Sequence, residues 1–146
     1  MKQLATGDEG TIFMLSGVHA KVMVHSRIYI AENDREVQRA LKAVLIKRGY
    51  EVTIFETGYP IVTMMDDWPD VFLIEIELPG INGLEVCKWL KSHDSSRNIP
   101  VIFLSGDPYL KIIAASAHAD DYIEKPLSYP RVIRKIRECL LAEHEV

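Results

Sequence analysis

The sequence lacks any apolar run of the roughly 20 residues that a membrane-spanning helix requires. Its amino terminus also lacks the basic start, the unbroken apolar stretch and the small-residue cleavage site of a signal peptide. These absences argue against a membrane anchor and against export. We therefore expect no membrane partner for this chain.

Cysteine and net positive charge are scarce as well. The two cysteines, Cys87 and Cys139, are far apart in the sequence, which favours reduced thiols in a cytoplasmic protein over a disulfide framework. The formal net charge of −4 argues against broad, non-specific binding to nucleic acid or to an anionic membrane. The five histidines are scattered and have no metal-ligand spacing.

The sequence does contain a regular alternation of apolar runs and amphipathic patterns from residue 27 onward. A chain of 146 residues is most simply one domain with a single well-filled core. Residues 27–146 form that domain. Residues 1–26 fit the pattern poorly and are an extension, either a tail or a short hairpin built from the strand-like runs 11–15 and 22–25.

Five strands alternate with five helices in this prediction. The strands are 27–31, 51–55, 71–75, 99–104 and 121–123. The helices are one that follows residues 32–34 and ends at 48, then 57–67, 83–93, one that begins at 107, and 128–143. This alternation predicts an α/β fold with a doubly wound, five-stranded parallel sheet between two helical layers. Right-handed crossovers favour the flavodoxin-like order 2-1-3-4-5, with the second strand at an edge.

Two helix starts carry capping patterns. Asn33, with Glu36 three residues later, has the form of a capping box. Asp107, followed by Pro108, has the form of an N-cap acid with proline at the first helical position. We therefore expect the first helix to start at Asn33 and the fourth to start at Asp107.

The stretch 71–83 is the centre of the pattern, because a buried strand there ends in a carboxylate, Glu75. Ligands of open α/β sheets bind at the carboxyl ends of the strands. The predicted order brings residues 32–34 beside Glu75, and Ser105 and Lys125 arrive from the ends of strands four and five. Acids that hold Mg²⁺, a hydroxyl and a lysine suit phosphoryl transfer onto a carboxylate.

Four segments of the sequence carry a family resemblance when they are taken together. They read RIYIAEND, PDVFLIEIELPGINGLEVCKWLK, IPVIFLSG and DDYIEKP. In this order and at this spacing they resemble the receiver domains of two-component response regulators, of which the chemotaxis regulator is the minimal stand-alone form. The resemblance covers about residues 27–141 and implies the flavodoxin-like fold and a role in phosphorelay signal transduction.

The resemblance also implies roles for the acids. It places Glu32 and Asn33 at the family's metal-binding acidic pair and Glu75 at its phospho-accepting aspartate. The backbone carbonyl of Glu77 falls at the remaining protein ligand of the metal.

The resemblance assigns three further residues to the phosphoryl pocket and the switch. Ser105 matches the hydroxyl that bonds the phosphoryl group, Tyr122 the aromatic that turns inward, and Lys125 the lysine that pairs with the phosphate. It also implies a cis bond between Lys125 and Pro126.

Two positions depart from the family pattern. Glu75 reaches one methylene, about 1.5 Å, further than aspartate. An error of ~1 Å in the position of a nucleophile can cost about a hundredfold in rate. Asn33 offers an uncharged amide oxygen where the family has a carboxylate, so Mg²⁺ binding would be weak at best. Glu75 can instead reach Lys125 and form an ion pair without metal.

The residues leave several readings open. The first is an atypical pseudo-receiver that binds partner proteins without phosphorylation and needs no cofactor. The second is a phosphorylatable stand-alone regulator that accepts phosphate from a histidine kinase in a Mg-dependent way, on Glu75, Glu77 or Asp34. The third is a small phosphate or flavin enzyme on the same fold. Residues 32–34 repel an anion, which argues against a flavin site, and we expect no enzymatic activity.

Each site residue also has a purely structural reading. In this interpretation Asn33 is simply a helix cap and Ser105 is a hydroxyl that stabilises a turn. Lys125 is then a structural partner of Glu75, and Tyr122 is a half-buried aromatic side chain. The basic side of the last helix is then a solvated face, and we expect no direct contact with nucleic acid. Expected partners are a histidine kinase or a downstream effector at the face formed by helix four, strand five and helix five. A homodimer is compatible with the sequence.

Overall fold

The computed structural model describes residues 26–144. The tail or hairpin predicted for the amino terminus therefore lies outside the described residues, apart from Ser26. The strands are β1 (Arg27–Ala31), β2 (Glu51–Phe55), β3 (Val71–Glu75), β4 (Val101–Ser105) and β5 (Asp121–Glu124). The helices are α1 (Arg35–Lys47), α2 (Tyr59–Val62), α3 (Gly83–Lys91), α4 (Leu110–Ser116) and α5 (Tyr129–His144).

All strand pairs are parallel, and the sheet order is β2-β1-β3-β4-β5. This order confirms the doubly wound, flavodoxin-like prediction. The register aligns Ala31 with Ile74 and Glu75 with Leu104, so β1, β3 and β4 end near one level. The residues that follow these strands therefore meet at one edge of the sheet.

The two faces of the sheet are covered by different helices, because successive strand residues point to opposite faces. One face packs against α1 and α5, through side chains such as Ile30, Leu73 and Leu104. The other face packs against α2, α3 and α4, through side chains such as Phe72 and Phe103. The fold is thus the predicted three-layer α/β/α arrangement.

Several predicted boundaries shift by one or two residues: strand four is Val101–Ser105 and not 99–104, strand five Asp121–Glu124 and not 121–123, the third helix Gly83–Lys91 and not 83–93, and the last helix Tyr129–His144 and not 128–143. Three further differences have a local cause. The second helix covers only four residues, Tyr59–Val62, instead of 57–67, because glycine and proline at its start leave a short element and residue 67 has φ of 68°. The first helix is capped by Asp34 and not by Asn33, since the Asp34 carboxylate accepts the amides of Glu36 and Val37.

The third difference is at α4. This helix begins at Leu110, after a turn in which the Asp107 carboxylate accepts the Tyr109 amide at 2.8 Å. Asp107 therefore caps a turn and not the helix.

Among residues 26–144, no helix has both the length and the apolar composition that crossing a membrane would require.

Candidate functional site

Glu32, Glu75 and Lys125 meet at the carboxyl edge of the sheet. Glu32 follows β1, Glu75 is the last residue of β3, and Lys125 follows β5. Lys125 Nζ lies 2.5 Å from Glu75 Oε1 and donates a hydrogen bond to it. The same ammonium lies 2.9 Å from Glu32 Oε1, as an ion pair without hydrogen-bond geometry. One cation is therefore shared by two carboxylates.

The second oxygen of each carboxylate accepts a backbone amide. Glu32 Oε2 accepts the Asp34 amide at 3.0 Å, and Glu75 Oε2 accepts the Glu77 amide at 2.9 Å. Both bonds join a residue to the second residue after it, a local geometry typical of acidic side chains at the start of a loop. They hold both carboxylates in place before any partner or ion arrives.

Burial makes this contact more than a surface ion pair. Glu32 is 0% exposed and Glu75 is 6% exposed, whereas the side chain of Lys125 is 22% exposed. Burial by itself would lower the pKa of Lys125. The hydrogen bond to Glu75 and the Coulombic attraction of Glu75 and Glu32 outweigh burial, so that the pKa of Lys125 is raised above its ordinary value. The lysine is therefore held in its charged form.

The loop after β3 folds back beneath Glu75. The amides of Leu78 and Gly83 both donate to the carbonyl of Ile76, at 3.1 and 2.7 Å. A Cβ atom on Gly83 would lie 2.2 Å from the carbonyl oxygen of Glu75, so only glycine fits this position. The predicted turn residues after Glu75 thus let the start of α3 pack directly against the strand end.

Ser105 lies at the same edge as the three charged residues. Its hydroxyl accepts the Asp107 amide at 3.0 Å, and its carbonyl accepts the Lys125 amide at 2.8 Å. The Ser105 side chain is buried and fixes the β4–α4 turn, and its predicted role toward a phosphoryl group stays a prediction. The Lys125–Pro126 bond is cis, as the family resemblance predicted.

The side chains of the remaining predicted residues take no part in the contacts among Glu32, Glu75 and Lys125. Asn33 is exposed, and so is the side chain of Glu77, which takes part through its backbone amide. Tyr122 is half-buried and packs against the α3–α4 side of the core. In the register Tyr122 aligns with Phe103, two residues before Ser105. The predicted switch role of Tyr122 stays a prediction.

The donor set fits an ammonium ion better than Mg²⁺. A magnesium ion needs near-octahedral oxygen ligands at about 2.0–2.1 Å. Here one oxygen of Glu32 and one of Glu75 face the Lys125 ammonium, and the other two accept amides. Within the described part of the chain, no group of three or more histidine, cysteine, aspartate or glutamate residues is arranged to hold a metal ion.

Sequence reasoning missed two contacts that support the site. Asp34 caps α1 and so orients the loop that carries Glu32, and its position immediately before an amphipathic helix was the available signal. Gln38 Nε2 donates to the carbonyl of Glu32 at 2.5 Å. No sequence signal identifies that contact, because Gln38 has no special spacing.

Comparison with known proteins identifies a family. A family model described as response regulator receiver domain matches residues 28–137. Response regulator MprA of Mycobacterium avium is 29% identical over 117 residues, which are 78% of this chain and 50% of MprA. The transcriptional regulatory protein YrkP of Bacillus subtilis is 32% identical over 117 residues, covering 76% of this chain and 49% of YrkP. The chain thus spans about half the length of the curated relatives it matches.

Solved structures agree with the fold. A putative response regulator from Chloroflexus aurantiacus superposes with a TM-score of 0.76 at 28% identity, covering 80% of this chain and 98% of that one. The receiver domain of a sensor histidine kinase from Pseudomonas aeruginosa gives a TM-score of 0.73 at 22% identity, with the same coverage, and supports the fold alone. That receiver domain has a magnesium ion coordinated in its active-site cleft.

Proposed function

This chain belongs to the response regulator receiver family of two-component signalling, and from that premise we propose that it is a pseudo-receiver that acts without phosphorylation. Its output is contact with partner proteins. Two residues of the sequence motivate the proposal. Glu75 is a glutamate at the phospho-accepting position, and Asn33 is an amide at the metal-binding position. What we propose, beyond membership of the family, is that the phosphorylation site of this chain is inactive.

The observation that carries the proposal is the contact of Lys125 with both Glu75 and Glu32. An incoming phosphoryl donor needs the Glu75 carboxylate as a free nucleophile and needs a metal ion beside it. In this site the ammonium already lies where it neutralises both carboxylates. Attack on phosphorus would require breaking a contact of 2.5 Å between largely buried groups.

We further propose that Mg²⁺ is not required and binds weakly at best. The magnesium-bound receiver domain from Pseudomonas aeruginosa is a relative in which the cleft holds this ion. The present chain differs from the family pattern at Asn33, which has no negative charge to attract the ion. Lys125 supplies the balancing positive charge for Glu32 and Glu75 instead.

The surface proposed for partner binding is formed by α4, β5 and α5. On α4, Ile112 is 67% exposed, and Tyr109 immediately before this helix is 65% exposed. Exposed large apolar side chains are a usual component of protein interfaces. The proposed partner is a histidine kinase or a downstream effector in the cytoplasm, and a homodimer through the same elements is part of the proposal. No catalytic activity of the chain is proposed.

Incubation with acetyl phosphate and Mg²⁺, followed by intact mass measurement, tests this function. We expect no phosphoryl adduct, while an ordinary receiver domain treated in parallel gains one. A stoichiometric, acid-stable and hydroxylamine-labile gain of one phosphoryl group would refute the proposal.

The same result would favour the second candidate, a phosphorylatable regulator. The observation in favour of that candidate is that Glu75 does place a carboxylate beside Lys125 at the carboxyl edge of the sheet. Under that candidate the adduct forms on the natural chain and disappears in Glu75→Gln. If the adduct persisted in Glu75→Gln, a neighbouring acid such as Glu77 or Asp34 would be the acceptor.

A further inference from the structure

A second feature lies on the face of the molecule that α1 and α5 cover. There a cavity of about 340 Å³ opens between Arg48, just after α1, and residues 130–141 of α5. Ligand pockets usually have volumes of about 300–1,000 Å³, so this cavity can hold a small molecule. It shares no residue with the site at Glu75 and Lys125.

The charge of the cavity is the opposite of the charge of the chain. Arg48 from the end of α1 and Arg134 and Arg137 from α5 line it, with Glu138 as the only acid in the lining. Arg134 Nε lies 3.8 Å from Glu138 Oε2, a weak contact between exposed groups. Among the ion pairs of the residues that the structure describes, none involves Arg48 or Arg137. Two guanidinium groups thus remain available to an anion.

The rest of the lining is apolar. Pro130, Ile133 and Leu141 supply it, and Leu141 is 38% exposed. A leucine that remains partly exposed beside unpaired arginines matches a ligand that has both an apolar body and a negative head. A purely ionic ligand, such as inorganic phosphate, would leave the apolar surface uncovered.

A buried hydroxyl lies in the same neighbourhood. Tyr50 is 4% exposed, and its hydroxyl has no hydrogen-bond partner among the described residues. Tyr50 follows Arg48 by two residues and belongs to the same buried cluster as Ile133; burial raises the pKa of its hydroxyl, and the positive charges of Arg137 and Arg48 oppose that rise. A buried polar group without a partner costs about 1–3 kcal/mol. Such groups in native structures call for a specific explanation, and Tyr50, although it does not line the cavity itself, follows the lining residue Arg48 by two positions.

We propose that this cavity, bounded by Arg48, Arg134 and Arg137, is a binding site for a small amphipathic anion, a carboxylate or phosphate monoester on a short apolar body. The arginines bind the head group and Ile133 and Leu141 cover the apolar body. This site is separate from the proposed function at Glu75 and does not depend on it.

Titration of the full chain, followed by amide chemical shifts in ¹H–¹⁵N correlation spectra, tests the proposal. The probes are hexanoate and hexyl phosphate, with hexanamide and inorganic phosphate as partial probes. We expect saturable shifts at residue 48 and across residues 130–141 with hexanoate, hexyl phosphate or both, and the tighter of the two identifies the head group. Hexanamide lacks the charge and inorganic phosphate lacks the apolar body, so each should bind at least about fivefold more weakly.

Variants separate a real site from general charge attraction. The double variant Arg48→Gln/Arg137→Gln should weaken binding of the tighter probe by about tenfold, and the same spectra report whether the variant is folded. Arg131→Gln is the matched control, because Arg131 is an exposed arginine of the same helix that does not line this cavity. The affinity of Arg131→Gln for the tighter probe should equal that of the natural chain.

Three results would overturn the proposal. The first is a change in amide chemical shift that stays linear, without saturation, up to about 20 mM of each amphipathic probe. The second is equal binding of hexanamide. The third is an equal loss of affinity in Arg131→Gln and in the double variant.

Discussion

Lys125 Nζ and Glu75 Oε1 are 2.5 Å apart although 50 residues separate them in the sequence. The contact exists because β3 and β5 flank β4 in one parallel sheet and end at the same edge. Glu75 is 6% exposed, and Lys125 also neutralises Glu32. The negative charge of two buried carboxylates at this edge of the sheet is therefore balanced by one ammonium group. The predictions that follow concern this group, the loop beneath it, and the two thiols.

Replacing Lys125 by methionine should destabilise the chain by about 2–4 kcal/mol. Breaking a buried ion pair costs about 3–5 kcal/mol because it leaves a buried charge uncompensated, and the partial exposure of Lys125 reduces this figure. Urea unfolding followed by tryptophan fluorescence measures the change. Lys88→Met is the control, since Lys88 is exposed on α3, and its unfolding free energy should stay within about 0.5 kcal/mol of the natural chain. A Lys125→Met chain as stable as Lys88→Met would contradict this role for Lys125.

The same ion pair predicts a loss of stability at alkaline pH. Burial by itself would lower the pKa of Lys125, but its hydrogen bond to Glu75 and its attraction to Glu75 and Glu32 raise it above the ordinary value of 10.5. A raised pKa in the folded state contributes stability that is fully present below the pKa of the unfolded lysine and is lost as pH rises through the folded pKa. The difference in unfolding free energy between the natural chain and Lys125→Met should therefore be constant up to about pH 9.5 and shrink above about pH 10.5. Urea unfolding at a series of pH values measures it, and a difference that grows with pH would exclude the ion pair as its source.

Restoring the family pattern should restore phosphorylation. The double variant Asn33→Asp/Glu75→Asp returns a carboxylate to the metal position and shortens the acceptor by one methylene. We expect it to gain one phosphoryl group with acetyl phosphate and Mg²⁺, where the natural chain gains none. Isothermal titration should show tighter Mg²⁺ binding for the double variant than for the natural chain. Failure of the double variant, together with normal folding, would mean that other positions silence the site.

Replacing Gly83 by alanine should destabilise the chain by about 2–3 kcal/mol. Alanine is normally the better residue in a helix, by about 1 kcal/mol. Here its Cβ would lie 2.2 Å from the Glu75 carbonyl oxygen, so the start of α3 must move away from β3. Gly106→Ala is the matched control, because nothing lies within 4 Å of the Cβ added there, and it should change the unfolding free energy by at most about 1 kcal/mol. Equal effects of the two substitutions would disprove the close approach at Gly83.

Both thiols should react slowly with a disulfide reagent in the folded chain. Burial raises the pKa of Cys87 to about 12, and burial with nearby acids raises the pKa of Cys139 to about 11. Thiolate is the reactive form, so at pH 8 Cys139 should react before Cys87, and both far more slowly than a free cysteine. Absorbance of the released reagent, with and without urea, measures the rates. Faster modification of Cys87 than of Cys139 in the folded chain would contradict this order.

Local patterns in the sequence predicted which helices and strands form and in what order, but they predicted the ends of these elements less well. The apolar runs that end at Ala31 and Glu75 predicted β1 and β3 to the residue, because four or five consecutive buried side chains leave little choice of structure. The starts of α1 and α4 were wrong. Several polar residues compete to cap a helix, as Asn33 and Asp34 do, and the choice depends on how the chain leaves the preceding strand.

The sequence by itself determined the layers, the strand order and the carboxylate at the end of β3, because hydrophobic periodicity and right-handed crossovers leave one economical arrangement. The sequence also led us to expect an ion pair of Glu75 with Lys125, but only the tertiary structure decided that Lys125 is shared with Glu32. Its ammonium contacts Glu32 as well as Glu75, and the other oxygen of each acid accepts a backbone amide. Spacing along the chain places these groups at one edge, but distances of a few ångströms between them depend on the packing of three strands and the loops that follow.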